Sequence, residues 1–249
     1  MIKWTWASFW ALFGLVILTG PAALIASFFK NQKTRNLIYN PTWPLFTKTV
    51  LHISTFTRIS KWDRRPKDQR IEGTQGLIIT NHSSMIDIAL IAEHHIVPPL
   101  MKKEVCDIPI FGHIIKVAAP IIVDRKDHKS RVAAFEECTR RLRNGSPVQV
   151  YPEGTRSKNG RPKKVSEIHT KLLEFAFEHR IHITPVSIYG TKDVLEKNAR
   201  LHFGQKVGLI THGLVYPEDY QTVDAFISAA WSKVVEGHEE LDKLLSHTN

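Results

Sequence analysis

This 249-residue chain has only two cysteines, Cys106 and Cys138, whose separation fits neither a metal-site spacing nor a disulfide framework. A reducing compartment follows. It has no internal repeat and no low-complexity tract, so a repeat architecture is excluded. Acidic residues are in the minority: 24 Asp plus Glu face 34 Lys plus Arg, a net charge of +10. That balance attracts polyanions, whether nucleic acid, an anionic membrane surface or phosphorylated and acidic substrates. Between Ala7 and Phe29 charge is missing altogether.

That uncharged stretch, ASFWALFGLVILTGPAALIASFF, is long enough to cross a hydrocarbon core as a helix. Trp4, Trp6 and Trp10 stand at one end, as an interfacial belt does. Lys30, Lys33 and Arg35 follow it, against Lys3 alone before it, which puts the bulk of the chain on the cytoplasmic side. A cleaved signal peptide would have a shorter apolar region and a small-residue cleavage site, and neither is present. Gly20-Pro21 allows a kink, so the segment either crosses the membrane or dips into one leaflet as a hairpin. Residues 41–62 carry Phe46, Val50, Ile53 and Phe56 at helical spacing, which predicts a second, amphipathic helix on the membrane interface. Residues 1–62 are thus expected as a membrane-associated helical segment and 63–249 as the globular domain.

With 43% hydrophobic residues, the remainder can bury a sizeable core. Predicted strands lie at 76–80, 120–123, 147–150, 181–188 and 207–214. Predicted helices lie at 85–93, 129–144, 167–179 and 222–245. The alternation predicts an α/β domain with a largely parallel sheet covered by helices. In such sheets ligands bind beyond the carboxyl ends of strands. Two loops, Asn81-His82-Ser83-Ser84 and YPEGTR at 151–156, leave predicted strands and should share that edge.

His82 is followed five positions later by Asp87, and none of the other twelve histidines has an aspartate there. Five residues along a helix rotate by about 140°, so the two can meet only with His82 in the loop and Asp87 in the first turn. Asn81, Ser83 and Ser84 are capping residues, which places the helix start between them. Asp87 would then fix one ring nitrogen of His82 and leave the other as a general base for a hydroxyl of the substrate. The alternatives are a capping aspartate beside an unrelated histidine, or a metal held by His82, Asp87 and His94 or His95. Neither Cys106 nor Ser83 has an identifiable base or oxyanion loop of its own to make it a nucleophile. Glu153 offers a carboxylate, Gly154 a turn or a close approach, and Arg156 a fork for phosphate oxygens. Lys102, Lys103 and Arg125 add cations near another strand end.

These blocks resemble the glycerolipid acyltransferases of the 1-acylglycerol-3-phosphate acyltransferase type. NHSSMID matches their H-x4-D motif, KKEVCDIPIFG with PIIVDR the second, VYPEGTRS the third and ITPVSI the fourth. The resemblance implies His82 as general base and Asp87 as its partner, with the acyl group passing from a thioester straight to a lysophospholipid hydroxyl. It implies that Glu153 and Gly154 seat the glycerol part and that Arg156, Lys102 and Arg125 hold the phosphate. Ser84, Pro109, Gly112 and Pro185 match structural positions. The implied donor is acyl-CoA or acyl-carrier protein, the acceptor lysophosphatidate in the membrane, and no metal or organic cofactor is needed. RPKKVSEIHT and Val117-Ala118-Ala119-Pro120 depart from the family pattern and leave glycerol-3-phosphate and other lysolipids open as acceptors. A nucleic-acid partner fits the charge but not the apolar N-terminus, and no RNA-binding signature is visible. A non-catalytic lipid- or carrier-binding protein and a thioester hydrolase are the remaining rivals.

Overall fold

All four residues of Leu77–Thr80 are buried, and a strand buried on both faces needs a neighbour on each side. Both neighbours are present in the computed structural model of the chain, which describes residues 17, 19–29, 38, 41–53, 55–72, 75–94, 97, 100–106, 120–196 and 200–246. Its first elements are helices α1 (Gly20–Ser27) and α2 (Thr42–Lys48), strand β1 (Arg58–Asp63), helix α3 (Lys67–Glu72) and strand β2 (Leu77–Thr80). Helix α4 (Ile86–His94), strand β3 (Leu100–Lys102), helix α5 (Lys103–Cys106), strand β4 (Ile121–Val123) and helix α6 (His128–Arg143) follow. Strand β5 (Val148–Val150), helix α7 (Lys171–Glu178), strand β6 (Ile183–Tyr189), helix α8 (Thr191–Val194), strand β7 (Lys206–Thr211) and helix α9 (Val223–Ser246) complete it.

The chain divides into two compact units, Met1–Thr57 with Ile88–Ala134, and Arg58–Asp87 with Phe135–Asn249. The first holds a two-stranded parallel sheet, β3 beside β4. The second holds a five-stranded sheet in the order β1-β7-β6-β2-β5. Its β1/β7, β6/β2 and β2/β5 pairs are parallel, and only β6/β7 is antiparallel. The largely parallel α/β fold is therefore as the sequence predicts. The one reversal has a consequence for the surface: β2, β5 and β6 run toward one edge with their carboxyl ends, and β1 and β7 run the opposite way. Helix α9 covers the sheet with Phe226, Ile227, Ala230, Trp231, Val234 and Leu241, an apolar stripe at the helical period. Pro185 stands in β6 where a central strand normally excludes proline. It is tolerated because the β7 ladder stops at Val186↔Thr211, and beside the proline only its carbonyl is used, by the His212 N–H at 3.0 Å.

Two expectations are corrected, and a third, the membrane-embedded N-terminal segment, falls largely outside the described residues. Residues 41–62 are not one helix: α2 passes into a π-turn at Thr49–Ile53, and Arg58–Asp63 is strand β1. The Thr55 hydroxyl and the Thr57 N–H both donate to the Leu51 carbonyl, and Phe56 takes a left-handed φ of 53°, which ends the turn. RISKWD then pairs residue for residue with β7 as an edge strand. The side chains of Phe46 and Val50 lie outside the described residues. In the predicted helix at 167–179, the 3-10 turn Val165–Glu167 comes first and α7 starts only at Lys171. In the uncharged N-terminal segment, α1 begins at Gly20 with Pro21 in its first turn, where the missing N–H has no helical partner in any case. Among the described residues no helix is long and apolar enough to cross a membrane. Trp4, Trp6, Trp10, Lys30, Lys33 and Arg35 lie outside the described residues.

Candidate active site

The polypeptide leaves β2 at Thr80 and does not turn away, because the Asn81 side chain grips β6. Its amide donates to the Ile188 carbonyl and its carbonyl accepts the Ile188 N–H, both at 2.8 Å. His82, Ser83 and Ser84 then cross the sheet edge into α4, whose first turn carries Asp87. Asp87 is fully buried. Its Oδ2 accepts the N–H groups of Ser83 (2.7 Å) and Ser84 (2.9 Å), donors that a helix N-terminus otherwise leaves unsatisfied. The same oxygen lies 2.8 Å from His82 Nδ1. Asp87 is thus both a helix cap and the partner of His82, so the two roles weighed from sequence coincide. With Nδ1 committed to the carboxylate, Nε2 is the nitrogen left to take a proton.

The His82 ring is 14% exposed and lies flat on Tyr151, with centroids 4.0 Å apart and planes 25° apart. Burial pushes the Tyr151 phenol well above its usual range, so it serves as a neutral platform. Tyr151 is the first residue beyond β5, and the loop it opens is tied to the His82 loop. The His82 N–H donates to Glu153 Oε1 at 2.8 Å, and the Ser157 N–H donates to the His82 carbonyl at 2.7 Å. Glu153 is itself buried, and burial raises its carboxyl from the ordinary value to about 7, against the lowering effect of the His82 N–H and of Lys163. Its Oε2 has no partner among the described residues. Gly154 turns the loop with φ of 68°, the left-handed region, and a Cβ there would stand 2.5 Å from His169 Nε2. Arg156 is half-buried in the same loop.

Of the residues singled out from sequence, His82, Asp87, Glu153, Gly154 and Arg156 therefore come together on one edge of the second unit. Lys102, at the end of β3, and Arg125, just after β4, are exposed in the first unit. The Arg125 carbonyl accepts Arg131 Nη1 at 2.8 Å. Ser84 fills its structural position by donating to the Leu195 carbonyl at 2.7 Å. Pro109, Gly112, His95 and the His94 side chain lie outside the described residues. Among the described residues no group of three or more metal-binding side chains gathers. Sequence reasoning missed Tyr151 and Thr191, and it left Lys163 without a role. Lys163 Nζ donates to the Glu153 carbonyl at 3.0 Å, while its own carbonyl accepts Trp231 Nε1 at 2.8 Å. The strand-end rule had the means to find Thr191, because β6 is the third parallel strand to end at this edge.

A buried carboxylate holding a histidine at a strand end, with an arginine in the adjoining loop, is an arrangement able to serve base-catalysed group transfer. The Acyltransferase family model matches residues 60–189, more than half of the chain, and the chain belongs to that family. A 1-acyl-sn-glycerol-3-phosphate acyltransferase of Helicobacter pylori is 27% identical over 196 residues, 75% of this chain and 77% of that protein. One from Cocos nucifera is 32% identical over 133 residues, 51% of this chain but only 41% of the relative. Among solved structures, the 1-acyl-sn-glycerophosphate (LPA) acyltransferase PlsC from Thermotoga maritima has the same fold. Its TM-score is 0.80 at 23% identity, covering 97% of this chain and 95% of that one.

Proposed function

We propose that this chain moves a fatty acyl group from acyl-CoA or acyl-carrier protein to the free sn-2 hydroxyl of 1-acylglycerol-3-phosphate, giving phosphatidate. The observation that carries the reading is the 2.8 Å contact from His82 Nδ1 to the buried Asp87 carboxylate, which leaves Nε2 as the ring nitrogen the carboxylate does not engage. Nε2 takes the hydroxyl proton as the oxygen attacks the thioester carbonyl. Asp87 stabilises the imidazolium so formed. The tetrahedral adduct collapses with loss of the thiolate, which recovers the proton from His82 Nε2. No residue of the chain becomes acylated.

Glu153 and Gly154 shape the glycerol subsite, and Arg156 holds the phosphate as a charge-assisted donor. Lys102 and Arg125 are assigned to the phosphate on the sequence pattern alone. The acceptor is a membrane lipid, so the reading places the chain at the cytoplasmic face of a membrane, held by its apolar N-terminal segment. Ile17, Leu24, Ile25 and Phe28, each more than half exposed in or beside α1, support that attachment. Both named relatives act, by name, on 1-acyl-sn-glycerol-3-phosphate, which favours that acceptor.

The test is acyl transfer by purified, detergent-solubilised protein given labelled acyl-CoA or acyl-carrier protein. Lysophosphatidate, glycerol-3-phosphate and a zwitterionic lysolipid are offered in parallel. Labelled phosphatidate from the wild type, and none from His82→Ala, is the expected result. Product from another acceptor replaces the substrate, and free fatty acid formed without any acceptor favours a hydrolase. Arg156→Ala is expected to raise KM for lysophosphatidate about tenfold with kcat changed far less.

A further inference from the structure

His82 and Asp87 are two members of a longer chain of hydrogen bonds. Strand β6 ends at Tyr189, and Gly190 turns the backbone sharply with φ of 82°. A Cβ on Gly190 would stand 2.2 Å from the Lys206 carbonyl oxygen, so only glycine allows the turn. The turn delivers Thr191, fully buried, to the back of Asp87. The Thr191 hydroxyl donates to Asp87 Oδ1, and its oxygen lies 2.8 Å from Ser83 Oγ. Thr191 has one hydroxyl proton and spends it on the carboxylate, so Ser83 is the donor in the second contact. The order is fixed: Ser83 to Thr191, Thr191 to Asp87, with His82 on the other oxygen of the same carboxylate.

We infer that Thr191 is a positioning residue for the reaction, locking the rotation of the Asp87 carboxylate so that Oδ2 stays on His82 Nδ1. This rests on the reading of His82 as the general base. Asp87 accepts from His82, Ser83 and Ser84 at Oδ2, and Thr191 is the side chain that donates to Oδ1. Rotation about the Cβ–Cγ bond moves both oxygens together, so the Thr191 donor on Oδ1 adds to the three contacts on Oδ2 in resisting it. Without Thr191 a buried carboxylate oxygen would also lack a partner among the described residues, which favours proton uptake by the Asp87–His82 couple.

The test uses the full chain in detergent with acyl-CoA and lysophosphatidate, comparing Thr191→Val, Thr191→Ser, His82→Ala and Asp87→Asn. Thr191→Val should lower kcat about 10- to 100-fold with KM within about twofold, and should move the acid limb of the kcat/KM profile to higher pH. Glu153 and Tyr151, the other ionisable groups facing His82, are unchanged in both Thr191 variants. Thr191→Ser, which keeps the hydroxyl, should restore kcat to within a few fold and return the limb. In the Asp87→Asn background Thr191→Val should have no further effect on kcat. If the valine variant does not fold, Thr191→Ala takes its place in the same comparisons. Wild-type kcat in Thr191→Val, or equal damage from valine and serine, would overturn the inference while leaving His82 as the base. Full turnover by His82→Ala would instead overturn the reading beneath it.

Discussion

Two histidines of the second unit make side-chain contacts of the same length on one sheet. His82 Nδ1 lies 2.8 Å from Asp87 Oδ2, and His212 Nε2 lies 2.8 Å from Ser187 Oγ. The second pair looks like a nucleophilic serine with its base, yet its polarity is reversed. The Ser187 hydroxyl donates to the Val234 carbonyl at 2.9 Å, so His212 must donate to Ser187. His212 is buried and kept neutral, its ring pushed down to about 4 chiefly by burial. It fastens β6, β7 and α9 together. His82 instead faces a buried carboxylate, on a ring that still reaches solvent. Distance alone does not separate a base from a bolt; the charge of the partner and the direction of its proton do.

The largest effect expected from breaking this comparison is on chemistry. His82→Ala should lower kcat by about 10²- to 10⁴-fold with the melting temperature nearly unchanged, whereas His212→Ala should destabilise the protein. Equal loss of turnover per folded molecule in both variants would erase the distinction. Next is the loop that carries Glu153 and Arg156. Gly154→Ala forces a side chain into a left-handed backbone, at about 1–2 kcal/mol, and should lower activity about tenfold by shifting those residues. A variant with unchanged kinetics and melting would show that the loop tolerates another conformation.

The smaller effects concern pH and have opposite signs for His212 and Glu153. The folded-state value of His212 lies below its ordinary 6.5, so its contribution is present above pH 6.5 and is lost as pH falls toward about 4. The full loss is about 3 kcal/mol, and His212→Gln should flatten the acid side of a plot of denaturant stability against pH. Glu153 is raised from 4.5 to about 7, so its contribution is present below pH 4.5 and is lost as pH rises through about 7. Glu153→Gln, which keeps an acceptor for the His82 N–H, should gain stability at pH 8 and little at pH 4. Parallel stability curves for wild type and Glu153→Gln would show that the carboxyl is not raised by burial.

Much of the site was legible because its signals are local. The capping residues Asn81, Ser83 and Ser84 set the start of α4, and helix geometry then required His82 to lie before it. The strand-edge rule brought YPEGTR to the same place. What failed was also local in appearance. Residues 58–63 extend a helical apolar pattern, yet they pair with β7, about 150 residues away, and no periodicity within 41–62 records that partner. Thr191 looks like an ordinary strand-end threonine until β6 is placed beside β2.

The sequence by itself pointed to the class of chemistry: a histidine and an aspartate at a spacing that can join a loop to a first helical turn, with glycine and arginine on a second strand end. These follow from backbone geometry over a few residues, which any chain must obey. Only the tertiary structure decided which groups stand behind them. Thr191 reaches Asp87 across 104 residues, Tyr151 supports the ring, and the pairing of β7 with β6 sets His212 on Ser187 and, through it, on α9. Such pairings depend on strand order, and strand order is set by burial summed over the whole sheet.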